Sequence, residues 1–326
     1  ILISDPWSHG RKLMDLARWG SEASNNTLKS IDEEIAKSCL ETLVWALSTT
    51  WRELRDYATH AIVNILTQHK NILLPVLKKY SFVNDPYIQE RLWCAVYGSL
   101  LLMQDDENSC TVAEWVYSNV FTKKHIPEHI LVRDYACNIV EFGISRGLDI
   151  RIEQGHIKVP FTDGTLPSND EITAKYKRDW KTVPENERDV YMVQHSILSS
   201  MAPEYGVRSY GDFGRYVFQS NLGGFGENVE MLSNWAIHMI FEEYGYDPNV
   251  FVHFDKNNDS HNRSHGKIER IGKKYQWIAM YRIMARMLDK YPDKDWSNEW
   301  SYPILRARTI DPTIYTRNKS LNHQSK

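Results

Sequence analysis

The chain has 326 residues, of which 42% are hydrophobic and 25% charged, enough apolar material for a large core and two or three subregions. A formal net charge of −3 gives no general pull toward nucleic acid, and no apolar run approaches membrane-spanning length. The opening ILISDPWSHGRK lacks the form of a signal peptide, and Ile1 in place of an initiating methionine is the start expected of a piece of a longer protein.

Apolar helical stretches at residues 35–47, 72–82 and 112–121 are each followed by a second helical segment with a shared ladder. The stretch ELRDYATHAIVNIL begins at Glu53, and LVRDYACNIVEFGI follows from Leu131 with the same Arg-Asp-Tyr-Ala core, 78 residues on. A weaker third copy, IQERLWCAVYGSLL, lies between them and sets Ile88-Gln89-Glu90 beside Leu54-Arg55-Asp56 and Val132-Arg133-Asp134. Leu54, Ala58, Ala61 and Ile62 then match Ile88, Leu92, Ala95 and Val96, and also Val132, Ala136, Ile139 and Val140. Offsets of four, three and one put each set on one helix face. Paired helices recurring every 34 to 44 residues are the pattern of a HEAT or armadillo-type solenoid, in which neither helix buries its apolar face alone. The Arg-Asp pair falls outside the ladder and is expected to point away from the buried seam. An acid in the first turn suits the helix dipole, and HEAT repeats, which these units resemble, run Asp and Arg as a ladder between neighbours.

Cys39, Cys94, Cys110 and Cys137 show no CxxC spacing and read as free thiols in a reducing compartment. The sequons at Asn25, Asn258, Asn262 and Asn318 are then chance matches. Beyond the repeats, DIRIEQGHIKVPF (residues 149–161) alternates around Gln154-Gly155 and predicts a β-hairpin. Residues 162–189 are polar and read as a loop or insertion. Helical periodicity returns at 227–244, where Val229, Leu232, Ile237, Ile240 and Phe241 share a face. It returns again at 267–291, where Pro292 ends it. The predicted architecture is mainly α: HEAT-like helical repeats over 1–148, a β-hairpin and polar insertion over 149–190, and a mostly helical C-terminal subdomain over 191–326.

Three apparent catalytic or ligand motifs fail on context. Gly143-Ile144-Ser145-Arg146-Gly147 has the GxSxG spelling, but a nucleophile elbow needs a strand before the serine and a helix after it. Here a helix precedes it, so the segment reads as a helix end. In FDKNNDSHNRSHGK, Asp255, Asn257 and Asp259 suggest a calcium loop, yet Ser260 stands where glycine is required and Gly266 where glutamate is. His261 and His265 lack further zinc ligands, so no metal is expected. Gly223-Gly224-Phe225-Gly226 precedes a helix, but Glu227 disfavours an anion there, and a tight turn is the better reading. No cofactor and no enzymatic activity are expected of this chain.

The runs WRELRDYATHAIVNIL, FVNDPYIQERLWCAVYG, YGDFGRYVFQ and ERIGKKYQWIAMYRIMARM resemble the C-terminal regions of bacterial antiviral STAND NTPases of the Avs (AVAST) type, from Trp45 to about Leu288. Such proteins join an effector, a NACHT-like ATPase and a repeat-rich sensor. The resemblance implies a cytoplasmic sensor region that binds a phage protein, the large terminase subunit or the portal, and so drives homo-oligomerisation and effector activation. This chain carries no Walker or nuclease motif, so only the sensor part is implied. A HEAT-type scaffold unrelated to defence is the alternative.

Eleven tryptophans and eighteen tyrosines supply potential interface anchors. Trp45, Trp93, Trp115 and Trp235 are expected in the core. Trp180, among Lys177, Arg178 and Lys181, is the better anchor. Arg270, Lys273 and Lys274 form a second basic group near a helix start, where positive charge does not favour the helix itself. Arg178, Trp180, Lys181, Arg270, Lys273 and Lys274 are therefore the candidate partner contacts.

Overall fold

The computed structural model describes residues 9–103, 105–165, 180–203, 211–258 and 268–294. Among these residues there are helices and no strand. No helix is long and apolar enough to cross a membrane. The chain divides into two compact units, one running to Phe161 and one beginning at Thr162.

The first unit opens with α1 (His9–Glu22) and the short α2 (Asn25–Lys29), followed by three helix pairs. The pairs are α3 (Glu33–Ala46) with α4 (Arg52–Gln68), α5 (Leu73–Tyr80) with α6 (Pro86–Leu102), and α7 (Asp106–Val116) with α8 (Ile130–Ser145). Caps fix where they start. Asp32 accepts from the backbone N–H groups of Glu34 and Ile35, Asp85 from Tyr87 behind Pro86, and Asp105 from Asn108. The last pair ends where Gly147 takes φ +93°, and Leu148 N–H closes onto the Gly143 carbonyl at 3.0 Å. That is the helix end expected for the GxSxG spelling. Gly143 is also where α8 touches α7, since a Cβ there would stand 2.3 Å from that of Ala113.

All twelve ladder residues of α4, α6 and α8 are buried. The first helices of the pairs lie side by side, tied by Asn71 to Glu33 (3.1 Å), Lys79 to Glu41 (2.8 Å) and Lys70 to Asp105. Glu33 and Glu41 belong to α3, Lys79 to α5, and Asn71 and Lys70 lie just before α5. Asp105 caps α7. The second helices are tied through their first turns.

Those first turns correct one expectation. Arg55 and Arg133 do not point outward; they are 6% and 4% exposed. Each donates to a carbonyl six residues earlier, Arg55 to Thr49 (2.8 Å) and Arg133 to Pro127 (2.7 Å). Gln89, their counterpart in the weak copy, does the same to Val83 at 2.7 Å. One side chain in each repeat thus holds down the loop that enters its second helix. Arg55 also lies 4.3 Å from the ring centroid of Tyr87 in the next pair, and Arg133 lies 5.2 Å from that of Phe161. The neighbouring acids form the cross-repeat ladder: Asp56 accepts from Arg91 (3.0 Å), and Glu90 lies 3.5 Å from His129. The reason for the miss is topological. In a stack, the second helix is covered by the next pair as well as by its own partner, so positions beside the ladder are interior too.

The predicted β-hairpin is absent. Residues 149–161 run over the third pair with one 3₁₀ turn, Gln154–Ile157, and belong to the first unit. Tyr117, at the start of a π-helical extension of α7, accepts from the Glu153 N–H (3.0 Å) and meets His156 Nδ1 (3.2 Å). Ile157 is buried, and Phe161 lies 6.1 Å from the Phe121 ring. The alternation is that of an extended chain half-buried against helices, with no partner strand among the described residues to complete a ladder.

The second unit contains α9 (Arg188–Ser200), a π-helical segment Phe213–Gln219, α10 (Val229–His238), α11 (Pro248–Asn257) and α12 (Ile271–Lys290). At its centre lies α12, with Gln276, Ile278 to Tyr281, Ile283 to Ala285 and Met287 to Asp289 buried. Leu232, Ile237 and Ile240 of the predicted face are buried. Gly211 and Gly214 let the backbone pass against the end of α9, since a Cβ at either would stand 2.3 Å from a backbone carbonyl oxygen, that of Ser199 or Ala202.

Candidate partner-binding surface

Trp180 opens a 3₁₀ turn, Trp180–Thr182, and is 44% exposed. Its ring lies 5.5 Å from that of Tyr191, which stacks in turn on His195 at 5.5 Å with planes 8° apart. Arg188 sets its guanidinium 5.5 Å from the Trp180 centroid. The geometry follows from α9: Arg188, Met192 and His195 are spaced i, i+4, i+7 and form its exposed stripe, while Tyr191, Val193 and Ile197 face inward. A cation, an indole edge, a thioether and an imidazole are thus presented together from one rigid helix and the turn before it. Aromatic and arginine side chains of this kind anchor protein partners. Lys181 is exposed next to Trp180, whereas Arg178 and Lys177 lie outside the described residues. Arg188, Met192 and His195 were missed in the sequence, although their helical spacing was there to be read.

In the second predicted group only Arg270 is tied to another helix among the contacts described. Arg270 immediately precedes α12 and donates to Ser196 Oγ of α9. Lys273 pairs with Glu269 at 2.8 Å, and Lys274 is half-buried. Positive charge at this helix start is offset by Asp255, which is 1% exposed. Its carboxylate accepts from the N–H groups of Ile271 (2.5 Å) and Gly272 (2.9 Å) and from the Tyr246 hydroxyl (2.6 Å). Burial, and then the Asp255 charge, hold the Tyr246 hydroxyl well above the ordinary tyrosine pKa. Asp255 is therefore an internal helix cap, with both oxygens committed, and not a calcium ligand. Asp259, His261 and His265 lie outside the described residues, and among the described residues no His, Cys, Asp or Glu cluster could hold a metal.

The glycine run before α10 is a turn, as expected: Gly223–Phe225 is 3₁₀ and Gly226 has φ +85°. Glu227 accepts from Lys290 and Tyr291 at the end of α12, and the Lys290 hydrogen bond holds its carboxyl below the ordinary value. A carboxylate thus stands where a phosphate would have to bind.

Two of the four expected core tryptophans, Trp93 and Trp235, are fully buried. Trp115 is half-buried, and Trp45 is 52% exposed. Burial raises the thiol pKa of Cys137, whose Sγ lies 3.3 Å from the Ile157 carbonyl oxygen. Comparison with known proteins adds no relative: no protein-family model, curated protein or solved structure matches the chain.

Proposed function

We propose that this chain is the target-recognition region of an antiviral STAND NTPase of the Avs type, a cytoplasmic sensor that binds a phage protein, the large terminase subunit or the portal. In the full-length protein, capture of that target drives homo-oligomerisation and switches on the effector. The chain itself then needs no cofactor, performs no catalysis and contacts neither membrane nor nucleic acid. The observation that carries this reading is the repeat array. Three pairs, each with a loop-holding bond from the equivalent position at Arg55, Gln89 and Arg133, build a repeated helical surface suited to gripping a macromolecule. The Arg188–Trp180–Tyr191–His195 cluster supports it as an anchor on the second unit.

The test is capture of purified large terminase subunit or portal by the purified chain, followed by association kinetics. Trp180→Ala with Arg178→Glu, and separately Lys273→Glu with Lys274→Glu, should slow association at low salt and leave folding intact, because rim charges act chiefly on the on-rate. Failure to retain either viral protein would defeat the sensor reading and favour a scaffold unrelated to defence.

A further inference from the structure

Trp45, Tyr80 and Trp115 recur every 35 residues, at the end of α3, the end of α5 and within the last turn of α7. The edge of Trp45 meets the Tyr80 ring at 5.8 Å. Two residues past Tyr80, the exposed Phe82 lies 6.5 Å from the Trp115 ring and 6.1 Å from that of His125. One aromatic row therefore crosses all three pairs, with Trp45, Phe82 and His125 on its outer side.

The charges beside this row are mostly positive. Lys78 and Lys79 occupy the last turn of α5, and Lys123 and Lys124 follow the π-helical end of α7. All four are exposed. Lys79 is matched by Glu41 at 2.8 Å, which leaves Lys78, Lys123 and Lys124 against the exposed Glu114. This is a locally basic surface on a chain whose formal net charge is −3. Lys124 has φ +54°, the one non-glycine residue with positive φ among those described. A glycine would fit that conformation without strain, yet a lysine occupies it.

We propose that the row formed by Trp45, Phe82, Trp115 and His125, with Lys78 and Lys124 beside it, binds an acidic segment of a partner protein whose apolar side chains pack on the exposed rings. Charge complementarity selects the acidic segment, and the exposed rings supply the apolar contact. Ring geometry argues against single-stranded nucleic acid, because the interplanar angles are 88°, 47° and 80° rather than those of parallel platforms for bases. The proposal rests on the recognition reading and adds the chemistry of the recognised segment.

The test uses fluorescence anisotropy with three labelled probes: a peptide alternating Glu and Leu, the same peptide with Lys for Glu, and oligo-dT. The Glu-Leu peptide should bind saturably and more weakly as salt rises, and Trp45→Ala or Phe82→Ala should weaken it by about tenfold. Lys124→Gly should weaken it several-fold while the chain melts no lower than wild type, which separates binding from stability. The proposal is overturned by absence of saturable binding, by unchanged affinity in these variants, by preference for the Lys-Leu peptide or oligo-dT, or by a wild-type dimer that Phe82→Ala dissociates. If the chain captures a phage protein and the row variants capture it equally well, this inference fails and the sensor reading stands. If the peptide binds at the row and neither phage protein is retained, the outcome is the reverse.

Discussion

Replacing Asp255 with alanine should be the most damaging small substitution in the second unit. Its carboxylate takes three donors: the Tyr246 hydroxyl at 2.6 Å and the N–H groups of Ile271 and Gly272 at 2.5 and 2.9 Å. The side chain is 1% exposed, so water replaces little of what is lost. Each buried donor left unsatisfied costs about 1–3 kcal/mol, and losing a helix cap costs about 1 kcal/mol. The Ile271 N–H is only partly buried, so we count the Tyr246 hydroxyl and the Gly272 N–H in full, the cap being among these bonds, and expect about 2–6 kcal/mol in total. Asp255→Asn keeps one acceptor and the volume, and should cost about half as much. Tyr246→Phe should hurt the Asp255→Ala chain less than wild type, with a coupling of about 1 kcal/mol, because the hydroxyl has by then already lost its partner. Urea titrations followed by near-UV circular dichroism supply all four corners of the cycle. An Asp255→Ala chain within about 0.5 kcal/mol of wild type, or an asparagine as costly as the alanine, would refute the capping argument.

Three further outcomes are expected. Arginine at Ala58 or Ala136, both buried on the ladder, should cost several kcal/mol by burying an unpaired charge, and soluble, normally melting variants would contradict the stacking. Gly143→Ala should cost about 1–3 kcal/mol from overpacking against Ala113, whereas Gly223→Ala, with open space around its Cβ, should be close to neutral in thermal melts. The Lys70 hydrogen bond lowers the Asp105 carboxyl below its ordinary 3.8. A depressed carboxyl stabilises fully above its unfolded value and loses that contribution as pH falls through the lower folded one. Acid titration should therefore show Asp105→Asn losing less stability than wild type below pH about 4, by a small margin at this solvent-screened site.

The ladder of the second helices was legible because its members repeat at helical spacing and all are buried, so the weak middle copy could be aligned residue for residue. Gln89 bears that alignment out by making the bond that Arg55 and Arg133 make. What escaped was everything set by the next repeat. Arg55 and Arg133 look like surface residues on an isolated helix and become interior only when a neighbour is stacked on them. Trp45 shows the reverse, an apolar residue at the end of a helix with no cover on its outer side. Residues 149–161 carry a genuine alternation, but period alone does not say whether the partner is a strand or a helix surface. The Trp180 cluster was half visible: the anchor stood out by composition, while the α9 stripe that completes it depends on where the turn delivers the chain.

The polar line from Asp56 through Arg91 and Glu90 to His129 has a consequence for how such a chain can change in length. Inserting a single residue in α6 between Arg91 and Leu92 would turn the start of the helix, with Glu90 and Arg91, by about 100° relative to the rest of its ladder. Either the apolar face or the acid and arginine would then be misplaced. Gains and losses inside the helices are thus penalised twice, once in the core and once in the polar contacts between repeats. Whole helix pairs can be added or removed with both patterns intact. Lineages of this protein should therefore differ by complete repeats or by loop length, and seldom by one or two residues within a second helix.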